Sequence, residues 1–263
     1  MLVENTLFGI DDKVEKAIAR LQSWENSAIK MNAEGYHVAF SGGKDSIVIL
    51  DLVRRAGVKH TTHYQMTTVD PPELIYFIRE NYTDVEFHKP EKTMWDLIVE
   101  KRMPPTRRVR YCCEYLKERG GSGSMVVTGV RWAESARRAN RKMVEPCFKD
   151  DRKVYLHAII DWSEDDVWQY IRERKMKYCC LYDEGFTRVG CIMCPMAEKR
   201  RHNDAKRWPK FASAYIRAFQ RMIEKRVKDG LETKWKTGQE VYDWWMNEPK
   251  RTKIDESQGV LFE

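Results

Sequence analysis

Short apolar runs bounded by polar, glycine-rich turns alternate along this chain with longer stretches whose apolar residues fall at helical spacing. His37-Val38-Ala39-Phe40 reads as a short buried strand, and Ser46 to Ala56, with Ile47, Val48, Leu50, Leu52 and Val53, as the helix that follows it. Lys59 to Thr68 predicts a second strand, Pro71 to Asn81 a helix opened by proline, and Val85 to His88 a third strand. Met94 to Lys101 reads as helical and Met125 to Val130 as a buried strand behind a Gly/Ser loop. Ser163 to Arg174 predicts a helix with Ser163 at its N-cap and Asp166 at the third helical position. This alternation predicts an α/β fold with a doubly wound, mainly parallel sheet. Met1 to Ser27 predicts an amphipathic helix, and from about Ala205 the chain becomes helical and aromatic, with Trp208, Phe211, Tyr215, Phe219, Tyr242, Trp244 and Trp245. The expected organisation is a helix over 1–28, a main domain over 29–204 and a helical C-terminal extension over 205–263.

Composition narrows the class. No apolar run approaches the roughly 18 residues of a membrane span, and the charged N-terminus is unlike a signal peptide, so the expectation is a cytoplasmic protein without a membrane partner. The formal charge of +7 suits an anionic partner or simple solubility. Its distribution says more, because Lys101 to Lys142 and Lys199 to Lys228 are both rich in Lys and Arg and poor in acids. Seven cysteines, an odd number with two adjacent pairs, fit a metal or cluster site better than a disulfide framework.

Ser41-Gly42-Gly43-Lys44-Asp45-Ser46 links the first buried strand directly to a helix. Such a loop aims backbone N–H groups and the positive helix end at one point, which suits phosphates. Gly42 and Gly43 admit the anion, Ser41 and Ser46 offer hydroxyls, and Lys44 a mobile charge. Asp45 would repel phosphate unless it holds Mg²⁺ or caps backbone donors.

Further blocks follow in order. They are Val69-Asp70-Pro71-Pro72-Glu73-Leu74, Thr128 to Arg137 with Arg131, Glu134 and Arg137, His157 to Trp168, and Leu181-Tyr182-Asp183 with Gly185 and Gly190-Cys191. With the loop, these resemble the PP-loop ATP pyrophosphatase superfamily, and within it the phosphoadenylyl-sulfate (PAPS) reductase family, over about Tyr36 to Pro195. The family's Thr-Gly after the second strand is missing here. The resemblance implies an adenine nucleotide alpha hydrolase-like fold. It also implies binding of ATP or an adenylyl sulfonucleotide by Ser41, Gly42, Gly43, Lys44, Asp45, Ser46, Arg131, Glu134 and Arg137. Lys44, Asp45, Arg131 and Arg137 are the candidate catalytic residues. Guanidinium forks match phosphate or sulfate oxygens, and Glu134 could hold one of them, although a solvated charged face is the alternative for this stretch. Asp161, Trp162 and Trp168 are read as packing and capping residues.

Cys112-Cys113 with the distant Cys191-Ile192-Met193-Cys194 resembles the arrangement that binds a 4Fe-4S cluster in the family's adenylyl-sulfate reductases. A four-thiolate zinc site and uncommitted thiols are the alternatives. Cys179 or Cys180 could replace Cys112, and Cys147 is read as a core thiol. Reductases of the family attack sulfur with a cysteine on a C-terminal tail, whereas Arg251 to Glu263 contains none. The first expectation is therefore ATP-dependent sulfur transfer with Mg²⁺, releasing pyrophosphate and AMP. A tRNA or DNA acceptor would suit the basic zones and C-terminal aromatics, which packing explains equally. A sulfur or electron donor protein is an expected partner. Sulfonucleotide reduction ranks second, and a non-catalytic nucleotide- or cluster-sensing module is the alternative of another class.

Overall fold

The computed structural model describes residues 2–6, 9–197 and 200–247. The chain divides into two compact units, Met1–Glu91 with Cys112–Cys191, and Lys92–Tyr111 with Ile192–Glu263. The second unit thus begins at Ile192 rather than near Ala205, and it draws in a segment from the middle of the chain. The tail Arg251 to Glu263 lies outside the described residues.

In the first unit, β1 (Val3–Thr6) and β2 (Gly9–Asp12) form an antiparallel ribbon, and α1 (Lys13–Met31) follows. This corrects the expected helix from residue 1: the Asp12 carboxylate accepts the N–H groups of Val14 and Glu15 and so fixes the helix start at Lys13. Then come β3 (Tyr36–Ala39), α2 (Lys44–Ala56), β4 (His60–Gln65), α3 (Pro72–Asn81) and β5 (Glu86–His88). The rest of this unit comprises α5 (Tyr111–Leu116, its first residue in the second unit), β6 (Met125–Val127), α6 (Ala136–Ala139), β7 (Val144–Cys147), β8 (Asp150–Leu156) and α7 (Glu164–Glu173). The intervening α4 (Met94–Lys101) belongs to the second unit.

Six strands make one sheet in the order β5-β4-β3-β6-β8-β7, parallel except for β7. The β7–β8 hairpin was not expected from the sequence. Its residues Glu145, Pro146, Asp150, Asp151 and Arg152 are polar or strand-breaking and give no clean alternation, as tolerated at an edge. Cys147 sits half-buried on that edge strand, not in the core. Ile47, Val48, Ile49, Leu50, Leu52 and Val53 of α2 are wholly buried, as expected of a helix that is apolar nearly all round. Around it, Tyr170 of α7 donates to Asp51 at 2.6 Å, and the Arg20 fork of α1 clasps Asp161 with two bonds of 2.7 Å. Trp162 is buried, and Trp168 meets Tyr178 and Tyr182 edge-on, in line with the packing roles expected of Asp161, Trp162 and Trp168.

In the second unit, α8 (Arg200–Arg207), α9 (Pro209–Lys228) and α10 (Gly238–Met246) join α4. Thr93 opens α4 with a reciprocal capping box to Asp96. Tyr215, Phe219 and Trp245 are buried against one another, their rings 4.7 to 5.9 Å apart, and Trp208 is buried too. These aromatics build a core; they do not present a base-stacking face. Among the described residues no helix is long and apolar enough to cross a membrane.

Because Leu50 is fully buried in α2, Leu50→Ala should cost about 2–5 kcal/mol, read as a lower urea midpoint with an unchanged slope. A loss under about 1 kcal/mol would contradict this placement.

Candidate functional site

The chain leaves β3 and turns through Ser41 and Gly42 into α2. Gly42 has φ +70°, and a Cβ there would stand 2.7 to 2.8 Å from Ile78 and Leu74 of α3, so only glycine fits. The loop's side chains hold its shape. The Ser46 hydroxyl accepts from the Ser41 N–H at 3.2 Å and the Ser41 hydroxyl at 3.1 Å, and donates to the Gly43 carbonyl at 2.9 Å. The Lys44 N–H donates to the Tyr182 hydroxyl at 2.9 Å; burial pushes that phenol up to about 12, so it stays protonated. Asp12, Thr93, Ser163 and Thr237 cap α1, α4, α7 and α10 with side-chain oxygens, whereas α2 opens on Gly43 with no side-chain cap. The Lys44 N–H is thus taken by Tyr182 and the Ser46 N–H by the Gly43 carbonyl, and what the start of α2 has to offer an anion is its positive dipole end.

Four charges close a ring beside this opening. Arg131, 2% exposed, gives Nε to Asp45 Oδ1 at 2.8 Å and Nη2 to Glu164 Oε2 at 2.7 Å. Lys44, 4% exposed, reaches Glu164 at 3.2 Å and Asp45 at 3.6 Å. Lys44 Nζ also donates to the Thr187 carbonyl at 3.2 Å. Burial opposes both Arg131 and Glu164 as ions. Asp45 and Glu164 nevertheless hold the guanidinium above its usual range, and Arg131 and Lys44 hold the Glu164 carboxyl below its own. Gly129 makes the approach possible, since a Cβ there would stand 2.8 Å from the Asp45 Cβ.

The structure thus brings Lys44, Asp45 and Arg131 together, with a changed role for Arg131: its fork is occupied by carboxylates and orients the loop. Glu134 accepts the Arg131 backbone N–H at 2.9 Å and pairs with Arg138, so it holds the backbone and not a phosphate-binding fork. Arg137 is exposed on α6, outside the ring. Glu164, Tyr182 and Thr187 complete the site and were not expected there. Glu164 could have been suspected as the residue after the Ser163 cap, and Tyr182 from its block of the chain.

On the same unit, the Thr67 N–H and hydroxyl both donate to Asp70 at 2.7 Å, and Cys191 Sγ lies 3.5 Å from Thr67 Oγ1. All seven cysteines are thiols, with Cys112 buried and Cys113, Cys191 and Cys194 half-buried. Cys179 is buried and its thiol is pushed up to about 11 by that burial, while Cys180 is exposed. Among the described residues, Cys112, Cys113 and Cys191 are not a set whose sulfurs lie within 4.8 Å of one another.

Residues 35–197 match the family model for the phosphoadenosine phosphosulfate reductase domain. An uncharacterized protein of Methanocaldococcus jannaschii is 30% identical over 76% of this chain and 45% of its own length; a second from that organism is 27% identical over 72% and 50%. The chain therefore spans about half the length of these relatives. Adenosine 5'-phosphosulfate reductase of Staphylococcus haemolyticus is 26% identical over 76% of this chain and 86% of its own. The fold is shared with Candida glabrata FMN adenylyltransferase in complex with FAD and inorganic pyrophosphate, at TM-score 0.50 and 17% identity over 69% of this chain and 63% of that one.

Replacing Arg131 by Met strands two carboxylates beside Lys44. The expected loss is roughly 2 kcal/mol, less than for a fully buried pair because Glu164 is half-exposed. Glu164 is depressed in the folded state, so its share is present above its unfolded value of about 4.3 and vanishes as pH falls through the folded value. The gap between wild type and Arg131→Met in urea should hold from pH 7 to 5 and shrink by pH 3; a constant gap would refute the ring's contribution.

Proposed function

The chain belongs to the phosphoadenosine phosphosulfate reductase family, and from that premise we propose that it is an enzyme that binds ATP or an adenylyl sulfonucleotide through Ser41, Gly42, Gly43, Lys44, Asp45 and Ser46 and acts on it in sulfur transfer. The carrying observation is the side-chain-uncapped start of α2 beside a closed ring of charges. The positive dipole end of α2 attracts the phosphate oxygens, and Lys44 swings from its loose 3.6 Å pairing with Asp45 toward the charge that develops on them. Arg131 acts by orienting Asp45, and the exposed Arg137 is the fork available to a phosphate or sulfate. Asp45 is the carboxylate that would hold Mg²⁺, whose chemistry is to neutralise phosphate charge.

Cys112, Cys113, Cys191 and Cys194 are the thiols that would hold a 4Fe-4S cluster. These four side chains form no disulfide and are the soft donor set that such a cluster takes. Zinc held by the same four thiolates is the alternative.

ATP-dependent transfer is the first form of the reaction: an acceptor oxygen attacks the α-phosphate of ATP, pyrophosphate leaves, and sulfur then displaces AMP from the adenylylated acceptor. Exposed Lys206, Arg207, Lys210, Arg217, Arg221 and Lys228 of α8 and α9 suit a nucleic-acid acceptor such as tRNA or DNA. Reduction of a sulfonucleotide is the second form, favoured by the likeness to the staphylococcal reductase. Residues 195–263 contain no cysteine. The attacking thiol within this chain would then be Cys180, because Cys179 is buried and weakly acidic and Cys147 sits on the edge strand.

Ser41 is exposed, so Ser41→Ala should fold normally and bind ATP about tenfold more weakly by calorimetry, one lost bond to a charged oxygen. Unchanged affinity would sink the nucleotide site. Acceptor-stimulated AMP and pyrophosphate release supports the first reaction; sulfite formed with thioredoxin, and lost in Cys180→Ser, supports the second.

A further inference from the structure

The C-terminal ends of β4 and β5 carry a second constellation that the nucleotide chemistry does not use. His63 pairs with Glu86 across the parallel ladder and Gln65 with His88, so the strand period of two puts His63, Glu86 and His88 on one face at the sheet's edge. His63 Nδ1 stands 2.8 Å from His88 Nε2 and 3.3 Å from Glu86 Oε2, and His88 Nε2 stands 3.8 Å from the same carboxylate oxygen. These distances bracket the roughly 3.3 Å that separates ligand atoms bound about 2.0–2.1 Å from one tetrahedral ion. Among the described residues this is the one group of three metal-capable side chains with ligand atoms so close.

The surroundings orient the set. His63 Nε2 lies 2.8 Å from Thr61 Oγ1, which fixes the ring and leaves Nδ1 facing the other two ligands. His37 of β3 stacks flat behind it, the centroids 4.0 Å apart and the planes inclined by 7°. His63 is mostly buried, while His88 and Glu86 are 40% and 60% exposed, so solvent can supply a fourth ligand.

The geometry points to a divalent transition-metal site of the zinc class formed by His63, Glu86 and His88, with water completing the coordination. It shares no residue with the thiols or with the Ser41–Ser46 loop, and it ties the edge strand β5 to β4. The His63 carbonyl in turn accepts the N–H of Phe40, the residue before the loop, at 3.0 Å, so the bound ion stiffens the strands from which the loop departs.

The test is calorimetric titration of chelator-treated protein with Zn²⁺, followed by X-ray absorption at the zinc edge on the sample with one equivalent. The expected result is one zinc with a nitrogen/oxygen shell at about 2.0–2.1 Å. Glu86→Gln and His88→Ala, both at exposed positions, should each weaken binding at least tenfold while the metal-free variants melt within a few degrees of wild type. No zinc uptake, a sulfur shell at about 2.3 Å, or unchanged affinity in both variants would overturn the site.

Discussion

The arrangement depends on how Arg131 is held. Its guanidinium is buried and cannot lose its proton, so two carboxylates must meet it, and those carboxylates come from the start of α2 and the start of α7. Lys44 closes the ring from the other side. The desolvation of these groups cancels much of their attraction, so the ring's main effect is geometric. It fixes the Ser41–Ser46 loop against two other elements of the same unit.

The loop itself was plain in the sequence because its chemistry is local. Two glycines, two serines and a lysine between a strand and a helix carry their own geometry, and Gly42 proves to be needed for both its φ and its contact with α3. The α2 core and the Ser163 cap were equally legible, being matters of period and neighbouring residues. Glu164, Tyr182 and Thr187 were not, since they reach the loop only through the order of strands in the sheet. For the same reason Arg131 was read as a phosphate ligand: the sequence shows a cation near the site but not the two anions that occupy it. The histidine set illustrates the point again, because His63 and Glu86 are neighbours only by strand register.

The second unit shows where composition misleads. A run of tryptophans, tyrosines and lysines near a basic zone invites a nucleic-acid reading, yet Tyr215, Phe219 and Trp245 spend their faces on one another. Aromatic rings at helical spacing mark a core first. The exposed cations of α8 and α9 carry the remaining case for a polyanion, and they do so by charge alone.

The account's central claim is that the start of α2 receives the nucleotide's phosphates. Amide hydrogen exchange of the whole chain, with and without a non-hydrolysable ATP analogue, addresses it at single-peptide resolution. The account predicts new protection over Gly42 to Ser46 and, through the ring, over Arg131 and the first turn of α7. Protection confined to other segments, with the loop exchanging unchanged at saturating analogue, would contradict it.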